Sequence, residues 1–146
     1  MIVLPDVNVL VYAFRESAEQ HEIYRSWLGE LLDSQDDLLL VDTVLVSVVR
    51  ILTNPRIADP PASTSRAMEF VDVLRAAPRA RVAQSSAAVW AALRALIDDD
   101  RMIRANVVPD AFLAAVASSH RASVATADRG FARFRGVRWF DPAAAD

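Results

Sequence analysis

Short apolar runs alternate with longer amphipathic stretches along this chain. Ile2-Val3-Leu4 is apolar without alternation and is stopped by Pro5-Asp6, so it reads as a buried strand. Asn8 to about Arg15 reads as one or two helical turns. Between residues 18 and 33, Ile23, Trp27, Leu28, Leu31 and Leu32 recur on one helical face. Leu38-Leu39-Leu40-Val41 follows the acidic Asp33, Asp36 and Asp37 and reads as a second strand. Residues 43–53 are rich in β-branched side chains, so strand and helix compete there. The run is long for a strand and Asn54-Pro55 is a helix stop, which decides for helix. Residues 58–65 form a loop with a helix-start signal, and Met68, Phe70, Val71 and Leu74 continue a helix to about Ala77. Ala80-Arg81-Val82 is a third strand, 86–98 a helix, and 110–120 a helix opened by Pro109. Ser123-Val124-Ala125-Thr126 and Val137-Arg138-Trp139 close the pattern as strands.

Strands separated by helices imply an α/β layer fold with a mostly parallel sheet of four or five strands. Strands that are apolar throughout fit a sheet covered on both faces. The length suits a single domain spanning residues 1–146. No apolar run reaches the ~18–20 residues needed to cross a bilayer, and the start lacks a basic signal-peptide region. A cytoplasmic protein is the expectation.

Composition then narrows the chemistry. There is no cysteine, so no thiol nucleophile, disulfide framework or zinc knuckle. All sixteen basic residues are arginine, which excludes a Schiff-base lysine and a P-loop lysine. Missing lysine also weakens a phosphoacceptor receiver domain. The glycines, Gly29, Gly130 and Gly136, cannot spell a dinucleotide-binding loop. Aspartate is plentiful, with fourteen against five glutamates.

In open α/β sheets, ligands sit beyond the carboxyl ends of the strands. Asp6 follows the first strand, Asp42 the second, and Asp128 lies two residues after Thr126. Asp110 starts a helix that opens on the same kind of crevice. Carboxylates gathered without a cation repel one another and their pKa values rise. A hard divalent cation relieves that repulsion, and oxygen ligands favour Mg²⁺ or Mn²⁺ over zinc or copper. Each acid also has a structural reading. Asp6 and Asp42 suit helix caps, Asp110 an acid favoured in a first helical turn, and Asp128 an ordinary turn residue. Asn8 and Thr126 suit hydrogen bonding to the acids or to water. Asp98-Asp99-Asp100 reads as a solvated helix end, because consecutive side chains diverge. His21 and His120 read as surface residues.

Four blocks then carry a resemblance: Leu4-Pro5-Asp6-Val7-Asn8-Val9-Leu10; Arg50-Ile51-Leu52-Thr53-Asn54-Pro55-Arg56; Pro109-Asp110-Ala111-Phe112-Leu113-Ala114-Ala115; and Ala125-Thr126-Ala127-Asp128-Arg129-Gly130-Phe131-Ala132-Arg133-Phe134. In this order and spacing the chain resembles a PIN domain from residue 2 to about 142. It is similar in particular to the VapC toxins of bacterial toxin–antitoxin pairs, the mycobacterial type included. The resemblance implies an endoribonuclease depending on Mg²⁺ or Mn²⁺ and a PIN-like three-layer sandwich. Asp6, Asp110 and Asp128 match the family's catalytic, metal-holding acids, and Asn8 and Thr126 match the polar residues beside them. It also implies a homodimer and a VapB-like antitoxin whose C-terminal segment wraps the toxin. One departure stands out. Many PIN domains carry a glutamate that would fall near Ser47, and no glutamate lies between Glu30 and Glu69. Either Asp42 supplies that charge or three carboxylates suffice. The departure also keeps open a catalytically impaired module that acts through antitoxin binding and dimerisation.

The formal net charge is −3, yet residues 121–138 hold five arginines against Asp128 alone. Arginine suits phosphate because its planar fork donates two hydrogen bonds. Arg129 and Arg133 are therefore candidate RNA contacts. Phe131, Phe134, Trp139 and Phe140 are expected in the core rather than as base-stacking platforms.

Overall fold

A computed structural model describes residues 1–144 of the chain. The elements follow in the order β1 (Ile2–Pro5), α1 (Val7–Phe14), α2 (His21–Asp33), β2 (Asp37–Leu40), α3 (Asp42–Leu52), α4 (Thr64–Ala76), β3 (Ala80–Val82), α5 (Ala87–Asp99), α6 (Val108–Ser119), β4 (Ser123–Ala125) and β5 (Arg138–Phe140). Two short 3₁₀ turns, Ala105–Val107 and Arg129–Arg133, precede α6 and β5. The expected α/β class holds, and the sheet has five strands in the order β3-β2-β1-β4-β5. Every neighbouring pair is parallel, with Val3 in register with Leu38 on one side and Ser123 on the other. The chain builds outward from β1 to β3, then returns across the sheet to β4 and β5. With right-handed crossovers, that reversal puts the two sets of helices on opposite faces. Val3, Leu4, Leu39, Leu40 and Val124 are almost completely buried, as strands covered on both faces require. Among the described residues, no helix is long and apolar enough to cross a membrane.

Two sequence expectations change. The buried face of α2 is His21, Tyr24, Leu28 and Leu31, and Ile23 is exposed. His21 is therefore not a surface residue. Its Nδ1 lies 2.8 Å from the Tyr12 carbonyl oxygen, which satisfies the ring inside the fold. The β-branched segment is helical, and α3 buries Val44, Leu45, Val48 and Leu52 along one stripe. Phe131 and Phe134 are buried and meet edge to face at 5.3 Å, anchoring the link between β4 and β5. Trp139 and Phe140 are half-buried against the same core.

Candidate active site

The switch in strand order falls between β1 and β4, so the loops leaving these two strands open a crevice at the carboxyl edge. Asp6 leaves β1 and caps α1, with Oδ1 accepting from the Val7 amide at 2.7 Å. The Asp6 amide donates to the Ala125 carbonyl at 2.9 Å, which ties this loop to the end of β4. The Thr126 hydroxyl donates to Asp6 Oδ2 at 2.8 Å and accepts from the Asp128 amide at 3.0 Å. Asn8, in the first turn of α1, donates to Asp6 Oδ2 at 3.0 Å and accepts from the Ala127 amide at 3.1 Å. Asn8 and Thr126 thus lace two distant segments together around one carboxylate. Thr126 is fully buried, so each of these bonds replaces water that the site has lost.

Asp128 caps the following 3₁₀ turn, its Oδ1 accepting from the Gly130 amide at 2.7 Å. Asp110 stands in the first turn of α6, just after Pro109. This helix runs ~18 Å at 1.5 Å per residue and ends shortly before β4 begins. Its first turn is thereby carried back to the carboxyl edge. Asp6, Asp110 and Asp128 line one cleft of about 470 Å³. The capping and site readings of these acids therefore coexist.

The electrostatics carry the signature of crowded carboxylates. Burial pushes the Asp6 carboxyl up, and the charge of Asp128 adds to this against the hydrogen bonds from Thr126, Val7 and Asn8. Asp110 is pushed up to about 6, first by desolvation and then by the charges of Asp6 and Asp128. Among the described residues, no three His, Asp or Glu side chains are gathered tightly enough to cage an ion directly. The donors here are all oxygen and the set is open. That fits Mg²⁺ or Mn²⁺, since Mg²⁺ binds through one or two carboxylates and keeps several waters.

The other expected residues fall differently. Asp42 is the exposed first residue of α3 and lines neither the cleft that the three acids share nor the smaller one between Asp6 and Asp110, so the fold does not bring it to them. Ser47, near which the resemblance implies a glutamate, lines both. Arg133 is not free: its Nε donates to Asp100 Oδ2 at 3.2 Å. Arg135 lies 3.7 Å from Asp99, and Arg138 donates to the Arg121 carbonyl at 2.6 Å. The arginine-rich segment is thus partly neutralised by the acidic end of α5, and that end is paired rather than merely solvated. Arg129 is exposed beside Asp128 and has no ion-pair partner among the described residues. Arg15 and Arg50 line the acid cleft; the sequence did not mark Arg15, and Arg50 stood there only within a block of the resemblance, with no site role. The signal for Arg50 was there: Ser47, Arg50 and Ile51 stand at i, i+3 and i+4 on α3, so they share a face.

The PIN-domain family model matches residues 3–137. The VapC ribonuclease Mb2897 of Mycobacterium bovis is 42% identical over 137 residues, covering 94% of this chain and 92% of the relative. Ribonuclease VapC31 of Mycobacterium tuberculosis is 34% identical over 139 residues, covering 95% and 97%. The structure of VapBC-1 from nontypeable Haemophilus influenzae superposes with a TM-score of 0.71 at 16% identity, covering 99% of this chain and 100% of that one. The chain belongs to the PIN-domain family, among the proteins named VapC.

Proposed function

We propose that this chain is a Mg²⁺- or Mn²⁺-dependent endoribonuclease and the toxin of a VapBC pair, working in the cytoplasm. One observation carries the reading: three carboxylates from three separate segments line one cleft at the strand-order switch, and among the described residues no arginine salt-bridges any of them. Relatives named as ribonucleases support the reaction class. Asp6, Asp110 and Asp128 would hold the cation, one or two of them through their carboxylate oxygens directly and the rest through the waters it keeps. When bound, the cation supplies positive charge against the developing charge on a phosphodiester and acidifies an attacking water. Thr126 and Asn8 fix the direction of the Asp6 carboxylate, which removes a reorganisation cost from the site. Gly130 leaves room for the Asp128 carboxylate, because a Cβ there would stand 2.9 Å from Asp128 Oδ1. The partners proposed are an RNA substrate, a second copy of the chain and a VapB-like antitoxin, whose basic side chain would satisfy the acidic cleft and so silence it.

Ser47 favours one rival reading. A hydroxyl in place of a carboxylate lowers the negative charge of the cleft, as an impaired module acting through its antitoxin would tolerate. Purified antitoxin-free protein separates the two. The enzyme cuts RNA in Mg²⁺ or Mn²⁺, stops in EDTA, and loses cutting in Asp6→Asn and Asp110→Asn. A protein inert with every metal is the impaired module.

A further inference from the structure

A second polar cleft of about 460 Å³ adjoins the acid cleft, and Tyr12 and Arg15 line both. Ala127, next to Asp128, lies on its wall, so the two openings run side by side at the same edge of the sheet. The far side of the second cleft is built from Glu19, Gln20, Tyr24 and Asp141. Its size falls within the ~300–1,000 Å³ of small-molecule sites.

The two halves differ in charge. Arg15 is half-buried at the junction and has no carboxylate partner among the described residues, although it stands between acidic clefts. An unpaired guanidinium there suits an anion such as a phosphate, which it can grip with two donors. The far half offers carboxylates, which repel phosphate and accept hydrogen bonds from base amino groups. Asp141 is held in place: its Oδ1 accepts from the Tyr24 hydroxyl at 3.0 Å and from the Ala143 amide at 2.9 Å. Its second oxygen has no hydrogen-bond partner among the described residues. The half-buried Tyr12 ring, braced by the Tyr24 ring at 5.2 Å, offers an aromatic surface to a base.

We propose that this cleft is a nucleotide subsite of the ribonuclease, taking the residue of single-stranded RNA next to the scissile bond. It rests on the ribonuclease reading above. Arg15 grips the phosphate between the two clefts, and Asp141 and Glu19 accept from the base. The subsite therefore prefers bases that carry an exocyclic amino group over uracil.

Randomised short single-stranded RNAs test this, with cleavage rates and cut positions compared for wild type, Arg15→Ala, Arg15→Lys and Asp141→Asn. Arg15→Ala is expected to lower kcat/KM by about 10-fold or more for every sequence, the scale of one charge-assisted hydrogen bond. Arg15→Lys recovers part of that loss. Asp141→Asn is expected to shift the preference at one position beside the cut towards uracil and to slow cutting of the sequences that wild type cuts best. Melting temperatures near that of wild type keep these effects separate from unfolding. An active wild type whose variants keep its rate and preference overturns the subsite alone. Variants that only weaken neutralisation by the antitoxin give these residues to a protein partner and overturn it too. A wild type inert towards all RNA overturns both the ribonuclease reading and the subsite built on it.

Discussion

Two acidic regions of this molecule have opposite fates. Asp98-Asp99-Asp100 is the densest acidic run in the sequence, and the protein answers it with its own arginines, Arg135 against Asp99 and Arg133 against Asp100. Asp6, Asp110 and Asp128 are spread across the chain, yet the fold gathers them in one cleft. There the bonds come from neutral donors, the Thr126 hydroxyl, the Asn8 amide and backbone N–H groups, which orient carboxylates without cancelling their charge. Two of the run's three carboxylates are thus ion-paired. The cleft keeps unspent negative charge, at a cost that the raised Asp6 and Asp110 carboxyls record.

The largest test of this contrast is activity. Asp6→Asn or Asp110→Asn is expected to lower RNA cleavage at least about 100-fold, the scale of removing charge from a phosphoryl-transfer site. Asp100→Asn should leave cleavage within about twofold, and gel-based cleavage assays read both. Thr126→Val comes next. It keeps the shape but leaves the buried Asp6 oxygen and Asp128 amide short of a partner, which should cost ~1–3 kcal/mol in denaturant unfolding. Gly130→Ala is subtler. The new methyl would push aside the Asp128 carboxylate, which can swing away cheaply, so cleavage should fall by several-fold, on the order of 1 kcal/mol in the barrier, with little change in stability.

Metal-free stability should also depend on pH in a direction set by Asp110. Its folded-state carboxyl is pushed up from 3.8 to about 6, so the native state holds a proton that the unfolded chain has released. The contribution is fully favourable below the unfolded value and is lost as pH rises through about 6. Asp110→Asn removes the loss, and after allowing for solvent screening should raise stability above pH 7 by on the order of 1 kcal/mol. Thermal melts in EDTA across pH 4–8 check the sign. The smallest effect is expected at the paired run, where Asp100→Asn removes a partly exposed ion pair worth ~0.2–1 kcal/mol.

The contrast also explains what was legible in the sequence. Strand ends and helix starts are marked locally by Pro5, Pro109 and the apolar runs, so the rule that ligands lie beyond the carboxyl ends of strands picks out Asp6, Asp110 and Asp128 before any coordinates. It picks out Asp42 as well, and only the family resemblance separates the three from the fourth. Long-range partners leave no such mark. Asp100 and Arg133 are 33 residues apart, and Tyr24 and Asp141 are 117 apart, so neither pairing is written in local periodicity. The face of α2 was misread for a related reason. His21 and Tyr24 are polar at their tips and count weakly in a hydrophobic stripe, yet both are buried because Tyr12 and Asp141 satisfy them. Arg15 lies just past the end of α1, where no face periodicity could place it in the cleft.

The dispersed acids, not the consecutive ones, are the proposed cation site. Calorimetric titration of Mn²⁺ into antitoxin-free wild type, Asp6→Asn, Asp110→Asn and Asp100→Asn tests it most directly. Binding is expected in wild type and Asp100→Asn and is expected to be lost in the two cleft variants. Binding that survives both cleft variants and disappears with Asp100→Asn would contradict this assignment.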